Sequence, residues 1–148
     1  MENTSSKQPN GKTGKLIKRK EEISLVFFDI LNVVRGKFEI PYKQWAVASK
    51  LPQSRIMEFK KRLREHDGET VRFFHYEKYI KLAGGLKSMT TSSAFDAAFT
   101  TELHKRDVNG DLDGVSDIEI LIARLMALSP VQLEDIREKI NEITGIRV

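Results

Sequence analysis

Proline stands at position 41 and again at 52, and neither lets a helix run smoothly through it, because proline lacks an amide hydrogen and its ring collides with the preceding turn. The residues between them, Tyr42 to Lys50, are therefore confined to one short helix, and whatever follows Pro52 begins another. Trp45 and Ala46 are the inward residues of the first helix. In the second, Ile56, Phe59 and Leu63 recur at helical spacing, and Ser54 is placed to cap the start. Upstream, Ile23, Val26, Phe27, Ile30, Leu31 and Val34 share one face of a helix ending near Gly36. Three apolar faces in succession, the last two separated only by Lys50-Leu51-Pro52, need a common core.

Past Gly68 the residue types change. Thr70 to Phe74 and Tyr79 to Leu82 are rich in aromatic and β-branched residues, which predicts two short strands joined by a tight turn at His75 to Lys78. Gly84-Gly85 and the polar stretch 88–93 then mark a boundary. Beyond it the pattern is helical: Ala94 to Lys105, Asp117 to Leu128, and a last segment from Pro130 to Thr144 with Ser129 as its cap. The chain thus divides into a polar basic tail over 1–15, a domain over 16–87, a linker over 88–93 and an acidic helical region over 94–148. The fold class expected is α+β and predominantly helical. The aromatic set Phe27, Phe28, Trp45, Phe59, Phe73, Phe74 and Tyr79 is assigned to packing.

Charge follows the same division. Residues 1–87 hold 19 lysines and arginines against 10 acids, a balance of +9, and residues 88–148 hold 6 against 11, a balance of −5. A basic half of this kind suits a polyanion. The run from Trp45 to Leu63 has the layout of a helix-turn-helix, with Ala46 where the helices cross, Leu51 in the turn, and Ile56 and Phe59 facing inward. With the two strands after it, this segment resembles the winged helix-turn-helix DNA-binding superfamily over roughly 16–85. The resemblance implies a two-stranded wing and a recognition helix around 54–66.

With Ile56, Phe59 and Leu63 inward, Gln53, Ser54, Met57, Glu58 and Lys61 fall on the face that reads base edges, flanked by Arg55, Lys60, Arg62 and Arg64 at heights suited to phosphates. Arg72, His75 and Lys78 belong to the expected wing. These residues imply a sequence-specific binder of double-stranded DNA, a regulator of transcription, replication or partition. It is expected in the cytoplasm on the nucleoid, or in the nucleus of a eukaryote. A winged-helix adaptor that docks another protein is the alternative, since fold alone does not fix function.

Two features lie in the acidic half. Asp107, Asn109, Asp111, Asp113 and Asp117 alternate as calcium ligands do, which leaves a weak calcium-responsive regulator open, but no register places both the glycine and the closing carboxylate of an EF-hand loop. Ser116-Asp117-Ile118-Glu119 reads instead as a capping box, the preferred reading, with no cofactor. Leu133, Ile136, Ile140 and Ile143 form a stripe too short for a free coiled coil, expected to mediate a homodimer.

Several classes are excluded from the expectation. Without cysteine there is no disulfide framework, thiolate zinc site or thiol nucleophile, and His66, His75 and His104 are scattered in no ligand spacing. No glycine-rich phosphate loop or nucleophile elbow occurs, so an enzyme is not expected. The longest apolar run, Leu25 to Phe28, predicts neither a signal peptide nor a membrane span.

Overall fold

The computed structural model describes residues 21–65 and 73–128. Among them the order is β1 (Glu22–Ser24), α1 (Val26–Lys37), α2 (Tyr42–Ser49), α3 (Gln53–Arg64), β2 (Phe73–His75), α4 (Tyr76–Met89), α5 (Ser92–Val108) and α6 (Asp117–Leu128). The fold is predominantly helical with one small antiparallel pair, in which Ile23 lies opposite Phe74.

The three amphipathic faces meet as expected. Phe27, Phe28, Ile30, Leu31 and Val34 of α1, Trp45 and Ala46 of α2, and Ile56 and Phe59 of α3 are all buried. At the centre the Phe28 ring stacks on Trp45 at 5.8 Å and meets Phe59 edge-on at 5.3 Å. The indole Nε1 of Trp45 donates to the Leu82 carbonyl at 3.0 Å, so its polar atom is satisfied in the interior.

The expected wing is not what forms. Phe73 and Phe74 are a strand, but its partner is β1, ahead of α1, and Ile23 belongs to that strand rather than to the first helix. Tyr79 to Leu82, expected as the second strand, and Tyr76 to Lys78 of the expected turn are the opening of α4. The reason is spacing: Tyr76, Tyr79, Leu82, Ala83 and Leu86 are buried at intervals of three and four, a helical face that outweighs the strand preference of tyrosine and isoleucine. Burial holds the Tyr79 phenol well above its ordinary value, and its hydroxyl donates to the Ala123 carbonyl of α6 at 2.9 Å.

Gly84-Gly85 is not a boundary either. Both lie inside α4, where Gly85 serves a close helix crossing: a Cβ there would come 3.0 Å from the Ser49 backbone nitrogen and 3.2 Å from the Ala48 carbonyl carbon, besides striking Ser49 Oγ. Only a small residue at 49 fits against it. The stretch 88–93 contracts to Thr90-Thr91, where Thr91 caps α5 by accepting from the Ala94 amide at 3.1 Å. One core runs on either side of it, from Phe27 and Tyr79 to Phe95, Phe99 and Met126.

Polar ties bind α5 and α6 to the rest. Arg106 donates to Asp29 of α1 at 2.6 Å and to Glu102 of its own helix at 2.8 Å. The Ser24 amide of β1 donates to Glu119 of α6 at 2.7 Å. Among the described residues no helix is long and apolar enough to cross a membrane.

Candidate nucleic-acid interface

The joint between α2 and α3 is built from the residues between the prolines. Lys50 adopts the left-handed conformation, φ 59° and ψ 40°, the position for which glycine is the natural choice. Leu51 turns inward and its amide donates to the Ala46 carbonyl at 3.0 Å. Pro52 then holds the extended geometry that starts α3. The helix begins at Gln53, so Ser54 sits within the first turn and does not cap it; no side chain does.

On α3 the apolar face goes in and the polar face stays out. Gln53, Ser54, Arg55, Glu58, Lys61 and Arg64 are exposed, while Met57, Lys60 and Arg62 are half-buried. Four of the expected contact residues have local partners. Arg55 and Glu58 form an exposed pair at 3.5 Å, which is weak and easily exchanged for another partner. Arg62 donates to the Phe73 carbonyl, tying the helix to β2. Lys60 lies over the Tyr42 ring, its Nζ 4.4 Å from the centroid. Lys61 and Arg64 keep their charge toward solvent.

The wing residues are distributed differently. His75 closes β2 and caps α4, its Nδ1 accepting from the Glu77 amide at 3.1 Å while its Nε2 lies 3.5 Å from Glu21. Lys78 is carried on α4, and Arg72 lies outside the described residues, as do Leu133, Ile136, Ile140 and Ile143.

Sequence reasoning overlooked Arg35, Asn32 and Tyr42. The Arg35 guanidinium sits 3.9 Å from the centroid of the Tyr42 ring and donates to Asn32 Oδ1 at 2.7 Å, to the Ile40 carbonyl at 2.7 Å and to Tyr42 Oη at 3.2 Å. Burial acts to raise the Tyr42 phenol, but hydrogen bonds from Lys60 and Asn32 and the charges of Arg35 and Lys60 outweigh it and leave the group below its ordinary value. The signal was an arginine in the last turn of α1 and a tyrosine directly after Pro41, legible only once the turn between them is known.

In the acidic half, among the described residues no three histidine, aspartate or glutamate side chains, those of Asp107, Asp111, Asp113 and Asp117 included, come together as cation ligands. Half of the capping box forms, Ser116 Oγ accepting from the Glu119 amide at 3.2 Å. The other half does not, because the Glu119 carboxylate accepts from Ser24 instead. A cleft of about 300 Å³ between α5 and α6 is floored by Leu103, Leu112 and Ile120 and rimmed by His104, Asp107 and Arg124. Comparisons with protein-family models, with curated proteins and with solved structures each find no match to this chain.

Proposed function

We propose that this chain binds double-stranded DNA sequence-specifically, laying α3 in the major groove as a transcriptional or replication regulator. The observation that carries the reading is the α2–α3 joint: two helices held by buried Ala46 and Leu51, with Gln53, Ser54, Lys61 and Arg64 on the side of α3 turned from the core. Side-chain amide and hydroxyl groups suit base edges, and the lysine and arginine suit phosphates, where each neutralised charge releases counterions. In this reading α3 carries the specificity. We further propose that two copies act together through Leu133, Ile136, Ile140 and Ile143, since a symmetric pair on two half-sites multiplies affinity.

Selection of bound duplexes from a random pool tests this directly. An enriched motif is expected, palindromic if two copies bind. Lys61→Ala should lower the steepness with which affinity falls with salt by about one power of salt concentration, whereas Gln53→Ala should change the preferred sequence more than the overall affinity. Failure of the wild-type protein to bind any duplex at low salt would overturn the reading.

A further inference from the structure

We propose that Arg35, Tyr42 and Lys60 form a preorganised seat for one phosphodiester of the bound duplex, set to the side of the base-reading face. This rests on the DNA-binding reading above and joins Lys60, already expected at a height suited to phosphates, to Arg35 and Tyr42, which that reading does not contain: a site built jointly by α1, α2 and α3 instead of by the exposed row of α3 alone.

The charge is unbalanced. Among the described residues, the ion pairs engage Arg55, His75 and Arg106, and none engages Arg35 or Lys60. Two positive charges therefore stand against one half-buried aromatic ring, and among the described residues no carboxylate is paired with either. A guanidinium has five donor hydrogens, and Arg35 spends three on Asn32, Ile40 and Tyr42, so its two terminal nitrogens each keep one. Lys60, held over the ring, brings three donor hydrogens of its own.

The geometry is fixed in advance. Long cationic side chains ordinarily lose rotamer freedom when they grip an anion, but stacking on Tyr42 and the bond to the Ile40 carbonyl have already ordered these two. The first amides of α2 add field of the same sign, since its N-cap is Pro41 and no side chain caps it. The depressed Tyr42 phenol reports this positive potential, and an anion bound beside it would push the phenol back up.

A purely structural role fits Arg35, which holds the turn before Pro41, so the test uses Lys60→Met and Tyr42→Phe. The first readout is the salt dependence of binding to the selected duplex. Lys60→Met is expected to reduce the slope by about one and to weaken binding at low salt several-fold, with the preferred sequence unchanged. The second uses Trp45, the only tryptophan, whose ring lies 6.5 Å from Tyr42 and whose emission is expected to fall as the neighbouring phenolate forms. The midpoint of that fall should move to higher pH when duplex is added, and Tyr42→Phe should abolish the fall. A wild-type protein that binds duplex while Lys60→Met keeps the full slope, or whose Trp45 midpoint ignores the duplex, overturns the seat and leaves α3 as the interface. A wild-type protein that binds no duplex overturns both.

Discussion

Two of the joints between neighbouring helices, the one from α2 to α3 and the one from α5 to α6, solve one geometric problem with opposite materials. Between α2 and α3 the chain turns in three residues; between α5 and α6 it takes the eight from Asn109 to Ser116. Each joint is pinned by a leucine turned into the core, Leu51 in one and Leu112 in the other. Each contains a residue with positive φ, Lys50 at 59° and Gly110 at 81°. The flanking charge differs: the first joint leads into a helix ending in Lys61, Arg62 and Arg64, and the second into one opening with Asp117 and Glu119. A tight turn sets two helices at a fixed crossing and leaves the second helix's outer face free. The long joint does the reverse, spending its polar groups on internal bonds, with the Asp111 amide donating to the Arg106 carbonyl and the Val115 amide to that of Leu112, and sending Glu119 back to β1.

The largest expected effect follows from the shared leucine. Leu112→Ala should destabilise the protein by about 2–4 kcal/mol, and Leu51→Ala by an amount toward the lower end of that range because its site touches solvent. Urea unfolding measures both. The joints should part company in function: per folded molecule, Leu51→Ala should weaken duplex binding by altering the pose of α3, and Leu112→Ala should leave it near wild type. Equal losses of affinity would show that the second joint positions the interface too.

Why one joint was legible and the other was not follows from the range of the forces. Pro41, Pro52 and the Ile56-Phe59-Leu63 spacing act within a few residues, so the sequence predicts α2, α3 and their inward faces. Ser116 caps locally and was legible for the same reason. The partner of Glu119 is Ser24, and that of Arg106 is Asp29, contacts between segments far apart in the chain that no local pattern announces. The wing failed as an expectation because propensity and periodicity disagree over Tyr76 to Leu82, and the buried period of Tyr76, Tyr79 and Ala83 against α2 and α6 prevails. Gly85 was misread as punctuation for a similar reason: the contact that requires glycine is with Ser49, on another helix.

A middle-sized effect isolates that long-range tie. Glu119→Ala leaves the partly buried Ser24 amide without its acceptor, and the expected cost is about 1–3 kcal/mol. Glu119→Gln, which retains an oxygen acceptor, should recover part of it. Amide exchange at Ser24 is the sharper readout, because the tie predicts faster exchange there in Glu119→Ala. A loss of stability without faster exchange at Ser24 would mean that Glu119 contributes through the first turn of α6 alone.

The smallest effect concerns the positive-φ residue in each of these two joints, and its sign differs between them. A lysine in the left-handed region pays a steric penalty between its Cβ and the following carbonyl that glycine avoids, partly offset because glycine gives the unfolded chain more freedom to lose. Lys50→Gly should therefore stabilise the protein, by about 0.5–1 kcal/mol. Gly110→Ala meets the same penalty in reverse and should cost about 1 kcal/mol, with the added Cβ only 3.4 Å from an Asp113 carboxylate oxygen. Urea midpoints at constant slope distinguish the two outcomes. If Lys50→Gly proves destabilising, the lysine side chain must contribute a packing or charge term larger than the strain of its backbone. If it stabilises the fold yet weakens duplex binding, Lys50 is held in that strained conformation beside α3 at the expense of stability, and the short joint becomes part of the interface rather than its support.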